Sequence, residues 1–151
     1  MTKILMVCLG NICRSPLAHG ILQSKLDDDN FYTDSAGTAS YHIGEQPDYR
    51  SINVAKLKGI DISQQKARQF KATDFDTFDI IYAMDQSNYS NIIGLARSNE
   101  DIDKVKLFLD ENLNVQNKNV PDPYYGDMTD FEFVFDLIDK TCEIIVKQLY
   151  K

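Results

Sequence analysis

Nothing at the N-terminus reads as a leader. The opening MTKILMVCLG carries one lysine and a short apolar stretch, without the apolar core of roughly 7–15 residues or the small-residue cleavage site of a secretory signal. No other run approaches the ~20 apolar residues needed to cross a bilayer. No membrane is therefore expected as a partner, and a cytoplasmic location is the expectation, with leaderless export left open. Basic residues are in the minority, 16 against 23 acidic ones, for a formal charge of −7. A nucleic-acid surface needs clustered Lys and Arg to displace phosphate counterions, so no nucleic acid is expected either. Any anion must be held by a local device, and substrates with basic flanks are weakly favoured. Three cysteines, an odd number, do not form a disulfide framework, and reduced thiols are the default. Repeats, linkers and low-complexity tracts are also missing, and 151 residues fit one domain, 1–151.

What the chain does carry is a regular alternation. KILMVC (3 to 8) is a short β-compatible run. Ser15-Pro16 then reads as a helix start, and Leu17, Ala18, Ile21, Leu22 and Leu26 recur at helical spacing. Tyr32 to Ala36 suggests a second strand, Pro47 to Lys58 a second helix ending at Gly59, and Ile80 to Met84 a strand buried on both faces. Ser87 is expected to cap a helix to Ala96, and Val105 to Leu109 is a weaker strand candidate. A polar connection over 110 to 128 leads to a long amphipathic helix, for which Thr129 and Glu132 offer a capping box. Strands alternating with helices imply an α/β fold with a mostly parallel sheet, whose ligands bind at the carboxyl ends of strands.

The stretch VCLGNICRS (7 to 15) lies at such an end. Cys8 and Arg14 bound a loop of five intervening residues, Leu9, Gly10, Asn11, Ile12 and Cys13. If the backbone curls, its N–H groups and the dipole of the following helix point inward and make an anion cradle. The planar fork of Arg14 suits two phosphoryl oxygens. Cysteines at helix N-termini beside cations are held as thiolates, which would make Cys8 a standing nucleophile. Ser15 is placed to donate to that sulfur, Gly10 permits a tight turn, and Asn11 tolerates a left-handed conformation.

C-L-G-N-I-C-R-S, with D-P-Y-Y-G at 122 to 126, resembles the low-molecular-weight protein tyrosine phosphatases. The likeness extends through D-S-A-G-T (34 to 38), Y-H-I-G-x-x-P-D-Y-R (41 to 50), A-R-Q (67 to 69) and F-D-x-I-x-x-M-D-x-S-N (78 to 88). The resemblance implies a single three-layer domain, with a mostly parallel four-stranded sheet, helices on both faces, and a phosphate-binding loop between the first strand and first helix. It implies a phosphocysteine on Cys8, phosphate contacts from Arg14, Ser15 and the loop, and Asp122, between Pro121 and Pro123, as acid and then base. Tyr41, Tyr124 and Tyr125 would wall a substrate slot, and Asn11, Ser35 and Asp85 would brace the loop. No metal or other cofactor is required. The implied partners are phosphotyrosine-containing proteins, and the chain is expected to be a monomer or weakly self-associating. Relatives usually carry histidine before A-R-Q, at the position two residues ahead of its alanine. Here the residue is Gln65, so amide hydrogen bonds are expected in place of imidazole ones.

Other readings compete at some of these residues. Cys8-x4-Cys13-x5-His19 with His42 could be arranged as a zinc site, but an arginine among the ligands argues against it. His19 alone reads as a helix-surface or half-buried residue rather than a catalyst. Cys13 is either a packing residue or a disulfide partner for Cys8 under oxidation, and Cys142 reads as core. An arsenate-type oxyanion reductase needs further redox cysteines, and only Cys142 remains downstream. Related protein arginine phosphatases tend to carry threonine where this chain has Ile12. An inactive phosphotyrosine-binding module would not need Cys8, Arg14 and Asp122 together.

Overall fold

The apolar run near the N-terminus forms an interior strand of a four-stranded sheet in the computed structural model, which describes residues 1–151. The chain runs β1 (Thr2–Cys8), α1 (Arg14–Lys25), β2 (Phe31–Gly37), α2 (Tyr49–Leu57), α3 (Asp74–Thr77) and β3 (Ile80–Ala83). It continues through α4 (Gln86–Ile93), α5 (Asn99–Asp103), β4 (Val105–Leu107), a 3-10 turn (Phe108–Glu111) and α6 (Met128–Leu149). All strand pairs are parallel, in the order β2-β1-β3-β4. Successive β1 side chains enter opposite cores. Ile4 and Met6 pack with residues of α1, α2 and α6, whereas Leu5 and Val7 pack with Phe70, Phe75, Phe78 and Ile92. The expected fold, a parallel sheet covered on both faces, is what forms.

From β1 the chain proceeds to β2 on one side, and later fills the other side with β3 and β4. The sheet therefore has its switch point beside the carboxyl end of β1, where a crevice opens in such folds. The segment after Cys8 lies at that crevice.

Helix starts differ from the sequence expectation in a consistent way. α1 begins at Arg14, with Cys13 at the cap position and no side-chain cap. Ser15 does not cap it, because its hydroxyl bonds to Asn11 and Cys8 instead. Asp48 caps α2 by accepting from the Arg50 N–H, so the helix starts after Pro47. Asp85, not Ser87, caps α4, which ends at Ile93 rather than Ala96. α6 has a capping box, but it is made by Asp127 and Asp130 rather than Thr129 and Glu132. A carboxylate also interacts with the positive end of the helix dipole, which favours Asp where a hydroxyl is the alternative. The strand at Val105 stops at Leu107, since the 3-10 turn is what buries Phe108 and Leu109.

The polar connection from 112 to 127 is irregular but tethered. Lys118 Nζ donates to the carbonyls of Leu109 and Asn112, and Asn112 Nδ2 donates to Thr141 Oγ1 on α6. Val120 is buried, and its N–H donates to the Met84 carbonyl at 2.8 Å, at the end of β3. The chain is thereby fixed two residues before Asp122.

Gly37 ends β2 against the loop that follows β1. A Cβ there would lie 2.8 Å from the Leu9 carbonyl oxygen and 3.1 Å from the Asn11 nitrogen, both backbone atoms. Gly37→Ala is accordingly expected to lose about 1–3 kcal/mol of stability, the usual cost of overpacking. At Gly94 a Cβ would make only ordinary contacts of 3.5 and 3.6 Å, and Gly94→Ala should be near neutral. Urea unfolding of the two variants checks the contrast, and equal stabilities would contradict it.

Candidate active site

The loop from Cys8 to Arg14 turns its carbonyls outward. The Cys8 carbonyl accepts from Thr38 N–H at 2.9 Å, Leu9 from Ala39 at 2.9 Å, and Ile12 from Asp48 at 2.7 Å. The amides of Leu9, Gly10, Ile12 and Cys13 donate to no protein acceptor, and with the first amides of α1 they supply the donors of an anion cradle. Asn11 is the loop's left-handed residue, at φ 58°. Its Oδ1 accepts from Arg68 N–H at 3.0 Å, and its Nδ2 donates to Ser15 Oγ at 2.8 Å and Ser35 Oγ at 3.0 Å.

Cys8 is buried at the floor of a cavity of about 150 Å³. Its sulfur accepts from Asn11 N–H at 3.3 Å and lies 3.1 Å from Ser15 Oγ. Arg14, 3% exposed, sends Nη1 to Asp85 Oδ2 at 2.6 Å and to the Val120 carbonyl at 3.0 Å. Its Nη2 lies 3.5 Å from Asp122 Oδ2. Burial is the largest single effect on the guanidinium and opposes its charge, but Cys8, Asp85 and Asp122 together outweigh it and hold Arg14 in its charged form.

Asp122, Tyr41, Tyr124 and Tyr125 line the same cavity as Cys8 and Arg14. Tyr41 and Tyr125 are largely exposed, and Tyr124 and Tyr125 meet edge to face at 4.9 Å between ring centroids. The cavity is thus polar at its floor and aromatic at its mouth. Leu9, Gly10, Ile12 and Cys13 also line it, whereas Asn11, Ser15, Ser35 and Asp85 lie behind it. Burial, with Asp48 next in weight, pushes the Cys13 thiol up from its ordinary value. Cys142 is fully buried in the core of α6, as expected.

His42, Arg50 and Arg68 stand in the motifs at 41 to 50 and 67 to 69, which by themselves assign them no role at this cavity. His42 also lines the cavity, and its Nδ1 pairs with Glu45 Oε2 at 2.8 Å. Arg68 supplies the N–H that orients Asn11, and its guanidinium is held by Asp34 and Asp74. Arg50 fixes the far side of the Asp122 segment. It donates to the carbonyls of Gly126 at 3.0 Å and Tyr124 at 2.9 Å, is gripped by both oxygens of Asp48, and stacks over Phe131 at 4.4 Å. The expected amide bond at Gln65 forms, but to the Pro16 carbonyl rather than to Asn11 or Ser35.

A burial-protected thiol, a guanidinium and unpaired amides around one small cavity suit a tetrahedral dianion, and an adjacent carboxyl suits proton transfer to a leaving group. Comparison with known proteins agrees with that chemistry. The family model for low molecular weight phosphotyrosine protein phosphatase matches residues 3–151. The chain is 38% identical over 155 residues to the human low molecular weight phosphotyrosine protein phosphatase, covering 98% of this chain and 96% of that one. Against the corresponding protein of Saccharomyces cerevisiae it is 38% identical over 143 residues, covering 90% and 88%. A crystal structure of a protein tyrosine phosphatase from Entamoeba histolytica superposes with a TM-score of 0.93 at 35% identity, covering 99% of this chain and 97% of that one.

Arg50→Leu removes the guanidinium that ties 124 to 126 to α2. Stability should fall by about 1–3 kcal/mol, the range for lost hydrogen bonds to a charged group. Limited proteolysis between 121 and 127 should also become faster than in the wild type. An unchanged cleavage rate would show that Arg50 does not hold the segment.

Proposed function

The chain belongs to the low molecular weight phosphotyrosine protein phosphatase family, a family of hydrolases, and on that premise we propose that it hydrolyses phosphotyrosine in proteins through a phosphocysteine on Cys8. One observation carries this reading: Cys8, Arg14 and Asp122 share a single cavity with Tyr41, Tyr124 and Tyr125. The Cys8 thiolate attacks phosphorus in line, forming the S–P bond as the P–O bond to the tyrosyl oxygen breaks. Asp122 delivers its proton to that leaving oxygen. The resulting carboxylate then takes a proton from water, whose oxygen attacks phosphorus, and the S–P bond breaks to release inorganic phosphate.

Stabilisation of the equatorial oxygens falls to the loop amides and Arg14. Such preorganised charge dominates phosphoryl transfer, because the protein has little covalent work to do. With Nη1 committed to Asp85 and Val120, the Nη2 edge is the one directed toward Asp122. An incoming dianion competes with Asp122 for that edge, which releases the carboxyl toward the leaving group.

Phosphotyrosine is favoured by the distance from floor to mouth. A phosphoserine ester is too short to bring its backbone past the tyrosines while its phosphate reaches Cys8. Ile12, an apolar residue lining the cavity, suits an aryl ring better than a guanidinium and favours a tyrosine ester over phosphoarginine. The mechanism needs only protein groups, so activity is expected to be independent of metal.

Phosphotyrosine peptides should be turned over by the wild type, and phosphoserine and phosphoarginine peptides far more slowly. Cys8→Ser should abolish turnover, and Asp122→Ala should lower kcat by about 10²–10⁴-fold, the usual contribution of general acid–base catalysis. That loss should be greatest for substrates with poor leaving groups. Turnover that survives Cys8→Ser, or that a chelator abolishes, overturns the assignment.

A further inference from the structure

His19 is a half-buried imidazole on α1 that the proposed chemistry does not use, yet its Nδ1 lies 3.3 Å from Ser35 Oγ. From there an unbroken set of hydrogen bonds leads to the nucleophile. Ser35 Oγ is 3.0 Å from Asn11 Nδ2, which is 2.8 Å from Ser15 Oγ, which is 3.1 Å from Cys8 Sγ. We propose that His19 is a positioning residue: through Ser35 and Asn11 it directs the Ser15 hydroxyl onto the Cys8 sulfur. This deepens the phosphatase reading and rests on Cys8 being the nucleophile.

The direction of each hydrogen follows from donor counting. Asn11 Oδ1 accepts from Arg68 N–H, so its Nδ2 must face the two serines, and its two hydrogens go one to each. Ser35 Oγ therefore receives a hydrogen from Asn11 and has its own to place, and Nδ1 of His19 is the acceptor in reach. Nδ1 accepts only if the ring proton is on Nε2. Gln65 lies beside α1, where its Nε2 donates to the Pro16 carbonyl at 3.1 Å and its Oε1 is buried with no hydrogen-bond partner.

At the other end, Ser15 Oγ accepts from Asn11 and keeps one hydrogen. The Cys8 sulfur at 3.1 Å is nearer than the alternative acceptor, the Ala36 carbonyl at 3.5 Å. Burial lowers the proton affinity of His19 below the ordinary histidine value, against smaller opposing effects from Asp34 and Gln65. Asp34 is itself paired with Arg68 at 3.3 Å. A neutral ring is thus the form that keeps the chain of donors pointing at sulfur.

Alkylation of Cys8 by iodoacetamide, followed by mass spectrometry of the Cys8 peptide, reads the thiolate directly. In His19→Leu the rate at pH 6 should fall about 3–10-fold, the equivalent of one hydrogen bond, and should match the wild type at pH 9. kcat should fall with KM for an aryl phosphate nearly unchanged. His19→Asn, whose carboxamide oxygen accepts in place of Nδ1, should restore the pH 6 rate. In a Ser35→Ala background His19→Leu should have no further effect, since the link is already cut. Equal rate changes at both pH values, or effects that add in the double variant, overturn the proposal and leave His19 a packing residue. If His19→Leu does not fold, Ser35→Ala alone must show the slow alkylation confined to pH 6, and its absence is equally decisive. Phosphatase turnover by Cys8→Ser would instead overturn the underlying nucleophile assignment, whatever the alkylation rates.

Discussion

Between Cys8 and Arg14 the backbone has to reverse its polarity, carbonyls out and amides in, and the residue that makes this possible is Asn11. A left-handed conformation costs an L-residue roughly 1–2 kcal/mol, and glycine would adopt it more cheaply. Asparagine instead brings a side chain that offsets the strain with bonds to Arg68, Ser15 and Ser35, while its own N–H reaches the Cys8 sulfur. The same residue therefore shapes the cradle and ties it to β2, to the strand-like segment carrying Arg68, and to Cys8. Everything described at the cavity floor depends on that turn being held in the absence of ligand. An anion that meets preformed donors costs no reorganisation, which is where electrostatic catalysis draws its strength.

A chain with a formal charge of −7 must hold its cationic groups by design rather than by surplus. Each of the three arginines around the site is gripped by carboxylates, Arg14 by the distant Asp85, Arg68 by Asp34 and Asp74, and Arg50 by its near neighbour Asp48. Burial of a charge without a partner is prohibitively costly, so these pairs specify geometry as much as they contribute stability. They also reach backbone. Arg14 and Arg50 donate to the carbonyls of Val120, Tyr124 and Gly126, on either side of Asp122. An irregular polar segment is thereby aimed as firmly as a helix would be, and the flanking prolines remove what backbone freedom remains.

What could be read in the sequence was local. The cradle is contiguous, so Cys8, Gly10, Asn11, Arg14 and Ser15 were legible together, and the parallel fold followed from continuous apolar strands between helical periodicities. Helix starts were misplaced where two capping residues competed. Ser15 reads as a cap because nothing local shows that its hydroxyl is claimed by Asn11 and Cys8. α3 and α5, with 4 and 5 residues, are too short to carry a periodicity. His42, Arg50 and Arg68 reach the site from other elements, and His19 reaches it from the far side of α1. Their contributions exist only once tertiary packing has placed their partners. Gln65 marks the same limit: the amide bonding expected of it was found, but its partner, Pro16, depends on how its loop meets α1.

The two thiols of the loop illustrate how one short sequence sets two cysteines, five residues apart, in opposite surroundings. Cys8 leaves β1 with its sulfur among donors, the Asn11 N–H and the Ser15 hydroxyl. Cys13 stands where α1 begins, yet it gains little from the helix dipole, because burial and the nearby Asp48 carboxylate both oppose ionisation. Asp48 is at that position because it caps α2 and holds Arg50. The residue that anchors the segment carrying Asp122 thus also adds to burial in opposing ionisation of the second cysteine. One carboxylate therefore acts on both sides of the cavity, on the loop that carries Cys13 and, through Arg50, on the segment that faces it.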